Sequence, residues 1–309
     1  MSNLSATAVA PESPALAALI TELQSQYGEA LNAVLLYGSC LRSGDLYDGL
    51  VDLYLVVDSY REIYSRRSLA LANHLLPPNV FYIEVPEGEK TVRCKYAILS
   101  SLDFNQGVQH WFQSYIWGRF TQPTAIAWCR DEESRLRVEE NFQLATITFL
   151  SNALPALPTT GSVRELWRDG LQLSYHTELR AEKIGRTTEL TDSAIDHYVA
   201  LTKVVAELLP FGLQVEGEGV DATYQTTMAD NERRRARFSW PLRQLQGKLL
   251  SVLRLLKALS TFADGLDYLA WKLERHSGQE VIIPDRVKRY PLIFVWGLMW
   301  QLYRRGVFR

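Results

Sequence analysis

Apolar residues recur at Leu16, Leu19, Ile20 and Leu23 behind a Ser13-Pro14 start, a spacing that predicts an amphipathic helix from Pro14 to Gln26. Two continuous apolar runs follow, Ala33 to Gly38 and Leu50 to Val57, of strand length and of the kind buried on both faces. Asn79 to Val85 and Val92 to Ser100 flank Pro86-Glu87-Gly88, the composition of a hairpin turn. The first third of the chain thus predicts a mixed sheet with helices. From Ser100 the period turns helical, predicting a helix to Phe120 with Asp103 as its cap, and further helices over Leu136 to Leu154, Ser162 to Lys183 and Ser193 to Gly212. Gln214 to Pro241 breaks the period, mixes acid with glycine and predicts a mobile, linker-like stretch. Leu242 to His276 predicts two helices joined near Gly265, and no repeat or low-complexity tract interrupts the chain.

The candidate chemistry lies between the first two strands. Gly38-Ser39 directly after a buried strand gives a tight turn with exposed N–H groups, which suits phosphate oxygens. Twelve residues separate Ser39 from Asp52, enough for a short element before the next strand returns the carboxylate beside that turn. A carboxylate facing phosphate suffers like-charge repulsion unless a divalent cation lies between them, so the pattern implies Mg2+. Gly-Ser, about ten residues and then Asp-x-Asp/Glu is the nucleotidyltransferase pattern of the polymerase-beta-like superfamily. Here residue 54, on the same strand face as Asp52, is Tyr54. Asp58 stands six residues further on, about 20 Å away. Glu84, or Asp45 and Asp48 in the loop, are the acids left to complete a metal shell, with Glu84 favoured. A plain turn followed by a hydrogen-bonded acid at a strand end fits the same residues.

Composition adds limits. The chain has 309 residues, 47% of them hydrophobic, ample for a packed core, and a formal net charge of −2, which argues against a nucleic-acid binder. Cys40, Cys94 and Cys129 lack any Cys-x-x-Cys spacing and read as packing residues in a reducing compartment. The N-terminal segment carries no Lys or Arg before its apolar part, which predicts neither a secretory signal nor a mitochondrial presequence, and a bacterial cytoplasmic setting. Arg286, Lys288, Arg289, Arg304, Arg305 and Arg309 flank the apolar run Pro291 to Leu302, whose twelve residues fall short of the ~20 needed to span a bilayer. With Trp296, Trp300 and Tyr303 this tail suits an anionic membrane surface, and it equally suits a final helix docked on the core.

Tyr37-Gly38-Ser39-Cys40 and Val51-Asp52-Leu53-Tyr54 resemble the motifs of the mitochondrial-type CDP-diacylglycerol synthases, also called translocator assembly and maintenance proteins, whose strand likewise carries a single Asp. Cys94 to Ser100 resembles that family's Lys-Tyr-Gly-Val-Ile-Ser strand. Trp111 to Thr124 resembles its Leu-Tyr-Ile-Ala-Gly-Arg-Leu-x-Lys-Pro-Val segment, and Leu173 to Arg180 its Leu-Ser-Tyr-Ser-Gly-Asp-Phe-Arg. The likeness is weakest between Gln214 and Pro241. It implies an α+β fold with three parts: a nucleotidyltransferase domain (1–130), a helical, winged-helix-like domain (131–241) and a C-terminal helical region (242–309). It implies transfer of CMP from CTP to phosphatidate, giving CDP-diacylglycerol and pyrophosphate, by a peripheral enzyme on the inner face of a bacterial cytoplasmic membrane. Asp52 and Lys95 would then be catalytic, Tyr37, Gly38, Ser39 and Arg119 nucleotide-binding, and Asp52 with Glu84 the Mg2+ ligands. Two residues keep a plainer reading: Lys95 as a solvated strand lysine, Arg119 as the cap of a helix end. His110 and His176 lack partner spacing and read as structural. A soluble nucleotidyltransferase with another acceptor, or a non-catalytic nucleotide-binding membrane adaptor, remain as alternatives, and the oligomeric state is open.

Overall fold

The computed structural model describes residues 8–178, 185–261 and 284–289, with the single positions 297, 300 and 304. The chain divides into two units: one holds Pro11–Leu99 and the chain from Leu253 on, the other holds Ser100–Val252 and the residues before Pro11.

In the first unit, α1 (Pro14–Tyr27) buries Leu16, Leu19 and Leu23 along one stripe and packs against the sheet. β1 (Leu31–Tyr37) leads through α2 (Ser39–Ser43) to β2 (Val51–Val57). The two apolar strand runs are buried along nearly their whole length, and Asp52 is the one position of β2 that keeps partial exposure. Two short helices, α3 (Tyr60–Ile63) and α4 (Arg67–Leu75), precede the hairpin of β3 (Asn79–Glu87) and β4 (Lys90–Ser100). The four strands lie in the order β3-β4-β2-β1, with β1 and β2 antiparallel and Tyr37 opposite Asp52. The hairpin therefore lies against β2 and not against β1.

The second unit opens with α5 (Ser101–Gln109). Its cap is Ser100, whose hydroxyl accepts the Asp103 N–H at 3.1 Å; Asp103 sits inside the first turn and not at the cap expected from the sequence. The single helix expected from Ser100 to Phe120 is also broken. After Gln109 the chain folds back so that Ile116 packs on Gly107, where a Cβ would meet it at 3.0 Å, and the Trp117 indole donates to the Trp111 carbonyl at 3.0 Å. α6 (Trp117–Phe120) and β5 (Ala125–Cys129) follow.

Next come α7 (Glu132–Ala153), capped by Asp131, then β6 (Thr160–Ser162) and α8 (Val163–Tyr175), opened by a Ser162–Glu165 capping box. α9 (Arg186–Asp192) and α10 (Ile195–Val205) lead to β7 (Gly212–Glu216) and β8 (Thr223–Thr227), in a second sheet ordered β6-β8-β7. The order is helix, strand, helices and a terminal hairpin whose last strand lies in the middle of the sheet. The stretch expected to be linker-like is thus this hairpin and the start of the next helix. Leu213, Tyr224 and Thr226 alternate inward along the two strands, which is enough to dock them. Stacked rings of Phe149, Trp167 and Tyr198, with centroids 5.0 and 4.3 Å apart, join α7, α8 and α10. The chain is α+β.

α11 (Asp230–Thr261) is one helix; the Gly265 joint expected after it lies outside the described residues, as does most of the basic aromatic tail. A short helix follows at Asp285–Arg289. Among the described residues no helix is long and apolar enough to cross a membrane.

From Leu253 on, α11 belongs with the first unit. There the Lys257 ammonium donates to the carbonyls of Leu76 and Pro78, the latter at 2.8 Å, and Arg254 donates to Pro77 O at 3.1 Å. Burial, with Arg254 adding repulsion, pulls Lys257 down to about 7. An unfolded lysine holds its proton to ~10.4, so between these values the unfolded chain binds more protons and stability rises with pH. Urea midpoints of the wild type are expected to climb from pH 7 to 9 relative to those of Lys257→Met. Parallel curves for the two proteins would contradict this.

Candidate active site

Gly38 stands between β1 and α2 at φ 90°, ψ −155°, a region open in practice only to glycine. It also has no room for a side chain: a Cβ there would lie 2.9 Å from Asp52 Oδ2. The cross-strand register that sets Tyr37 opposite Asp52 presses this carboxylate against the turn. Ser39 begins α2, whose leading N–H groups have no acceptor within the helix. Cys40, where the resembled family has glycine, is buried inside α2 and hydrogen-bonds the Leu50 carbonyl at 3.2 Å, with no need for positive φ.

Lys95 reaches the same point from β4. Its Nζ lies 2.8 Å from Asp52 Oδ1, an oxygen shielded from solvent, and the side chains are 37% and 21% exposed. The half-open face of β4, Thr91, Arg93 and Lys95, is the one turned to Asp52, while Val92 and Cys94 are buried on the other. Burial pushes the Cys94 thiol well up, and the charge of Asp52 adds to it; Cys40 is raised by the same two causes in the same order.

The other acids stand apart. Tyr54, in place of a second carboxylate, is buried with its ring centroid 5.1 Å from that of Tyr37, the diagonal pair of this register. Glu84 lies on β3, two strand spacings or roughly 10 Å from β2, and accepts hydrogen bonds from the Tyr82 hydroxyl and from Arg93 at 3.3 Å. Asp45 accepts the N–H groups of Tyr47 and Asp48 at 2.8 and 3.2 Å, and these bonds hold its carboxyl below the usual range.

No group of three His, Cys, Asp or Glu side chains converges among the described residues. Magnesium commonly takes one or two carboxylates and completes its shell with substrate phosphates and water. One carboxylate held against the Gly38-Ser39 turn, with its approach kept clear by the missing Cβ of Gly38, fits an ion delivered with a nucleotide.

A residue absent from the expected set is Tyr47. Its hydroxyl donates to Glu87 at 2.6 Å and the Lys90 ammonium lies 4.5 Å from its ring centroid, which fastens the loop before Asp52 to the end of the hairpin bearing Lys95. No local pattern marks this latch, because its partners are 40 and 43 positions away.

Arg119 lies in the second unit. Its guanidinium meets Glu178 at 3.5 Å, both side chains being nearly buried, and stands 5.5 Å from the Tyr115 ring centroid. Gln122 donates to Gly118 O and accepts from the Tyr175 hydroxyl, each at 2.8 Å, and the Ser114 and Thr177 hydroxyls are 2.7 Å apart. The segments Trp111 to Thr124 and Leu173 to Glu178, read separately in the sequence, therefore form one joint. The acid at Glu178, where the resembled motif also has an acid, was its signal, since it matches Arg119. His110 and His176 stand at the C-terminal ends of α5 and α8.

A family model described as mitochondrial phosphatidate cytidylyltransferase matches residues 60–239. The chain belongs to this family. Its members are enzymes, phosphatidate cytidylyltransferases of phospholipid synthesis, with CTP and phosphatidate as the substrates the family implies. No curated protein matches the chain significantly. The match takes in Glu84, Lys95, Arg119 and Glu178, and reaches through the β7–β8 hairpin, where the likeness had looked weakest. Tyr37, Gly38, Ser39 and Asp52 precede it, so their place in the site rests on the geometry above.

That geometry gives a direct test. Gly38→Ala is expected to lower activity more than tenfold, because the methyl group forces out either the turn or the Asp52 carboxylate. Gly44, at φ 73° with open space around it, is the control: Gly44→Ala has backbone strain of about 1–2 kcal/mol and an unchanged kcat. Equal activity losses in the two variants would show that strain alone matters.

Proposed function

We propose that the chain transfers CMP from CTP to phosphatidate, giving CDP-diacylglycerol and pyrophosphate, with Mg2+ held by Asp52. The observation that carries this reading is the Lys95–Asp52 pair set against the Gly38-Ser39 turn, in a chain of this family. In it, an oxygen of the lipid phosphate attacks the α-phosphorus of CTP; the new P–O bond forms as the bond to the β-phosphate breaks, and its electron pair leaves with pyrophosphate. A phosphate monoester is largely ionised near neutral pH, so no side chain need act as a base. The backbone N–H groups at Gly38-Ser39 bind and orient the triphosphate, with Tyr37 at the edge of the turn. Lys95 neutralises charge that grows on the departing group. The metal, when bound, supplies charge stabilisation to the triphosphate. Glu84, already engaged by Tyr82 and Arg93, contributes as a more distant carboxylate on the same sheet face. The enzyme works peripherally at an anionic membrane surface, for which the aromatic and basic tail is suited.

Purified protein given α-labelled CTP, phosphatidate vesicles and Mg2+ is expected to move label into a lipid-extractable product with release of pyrophosphate. Chelation should stop it. Label in a water-soluble product, or none that depends on phosphatidate, would overturn the proposal and favour a different acceptor. Vesicle flotation separates the membrane part of the reading: transfer to detergent-dispersed phosphatidate without any flotation would leave the chemistry standing and remove the surface contact.

A further inference from the structure

α11 carries two apolar seams on opposite faces. The inner one, Ala236, Trp240, Arg243 and Gly247, is buried in the second unit. The Trp240 indole donates to Asn152 O at 3.0 Å, and Arg243 donates to Phe112 O at 2.6 Å and to Asn152 Oδ1 at 2.8 Å. A Cβ on Gly247 would run into the Thr177 backbone. This seam fixes which way the helix faces. The outer seam is Phe238, Leu242, Leu245, Leu249 and Val252, exposed by 80, 59, 70, 60 and 42%. Its steps of 4, 3, 4 and 3 residues are the a/d spacing of a two-helix seam, narrower than the broad apolar face of a helix lying on a core. Exposed leucines at 253, 255 and 256 continue the apolar character along the same helix.

We propose that this outer seam is a homodimer interface, in which α11 packs antiparallel against α11 of a second copy. Three features choose that occupant. Between Phe238 and Val252 the ionisable side chains are Arg243, turned inward, and Lys248, so the seam itself is almost free of charge and suits a second apolar seam. Arg233, Arg234, Arg235 and Arg237 crowd one end of the helix. A parallel pair would set the two arginine runs side by side, whereas an antiparallel pair sends them to opposite ends. Finally, five large apolar side chains, at on the order of 100 Å² of exposed surface each, supply most of the ~800 Å² per partner that a stable interface buries. A two-fold axis through Leu245 sets Phe238 against Val252, and Leu242 against Leu249, of the second copy.

Sedimentation of the full chain at micromolar concentration is expected to give twice the 35.3 kDa chain mass. Leu245→Asp, at the axis, should give the monomer mass with an unchanged circular dichroism spectrum and melting midpoint. Cysteine pairs read the orientation even if that variant misfolds. In a Cys129→Ser background, Leu245→Cys should form a disulfide dimer under mild oxidant, Phe238→Cys alone should not, and Phe238→Cys combined with Val252→Cys should. A monomeric wild type, a dimer that survives in folded Leu245→Asp, or equal cross-linking by Phe238→Cys alone would each overturn the proposal. So would a monomer whose vesicle binding is lost in Leu245→Asp, which would make the seam a lipid contact.

Discussion

Asp52→Asn is expected to abolish cytidylyl transfer, by three orders of magnitude or roughly more, while the protein folds as before. The substitution keeps the shape of the side chain and removes its charge, so the contact with the Gly38 turn survives while the charge proposed to hold Mg2+ is lost. Stability should barely move. Lys95 and Asp52 are partly open to solvent, and an ion pair of that kind is worth about 0–1 kcal/mol, well inside the stability of a domain. The check is the labelled-CTP assay beside a urea titration. Near-normal product formation by a folded Asp52→Asn protein would remove Asp52 from the site, and a collapsed urea midpoint would make its role structural.

How much of this could be read in the sequence follows from the range of the interactions. β1 and β2 were legible because a strand buried on both faces is a continuous apolar run, and the place of Asp52 beside Gly38 follows once two such runs pair. Lys95 was legible only as a residue on the right face of its own strand. That β4 lies against β2 is a matter of sheet order, which no local pattern encodes. The β7–β8 hairpin was missed because its two five-residue strands are rich in Thr and Gln, so their alternation is weak and the acid and glycine between them dominate the composition. The split of the helix after Gln109 depends on Ile116 finding Gly107, and the Arg119–Glu178 joint bridges 59 positions; each is a tertiary event that overrides a local period. The outer seam of α11 was in plain view as a heptad, but the sequence does not say which of a helix's apolar stripes its own core will cover.

Lys95→Met is expected to lower kcat/KM by roughly two to three orders of magnitude, about 2.7–4 kcal/mol of transition-state stabilisation, with the fold retained. Methionine keeps the length and most of the packing of the lysine stem on a half-open strand face, so the loss reads the charge. Two roles are merged in that number. Lys95 holds the Asp52 carboxylate by its 2.8 Å contact, and in the proposed reaction it offers a cation to the departing pyrophosphate. A double-mutant cycle separates them. If Lys95 acted only by orienting Asp52, then Lys95→Met would cost nothing further in an Asp52→Asn background, and the two single losses would not add. If it also meets the phosphates, the double variant falls below Asp52→Asn, and the affinity for CTP without chemistry falls in Lys95→Met alone. An unchanged kcat/KM in folded Lys95→Met would mean that the ammonium serves neither the carboxylate nor the nucleotide.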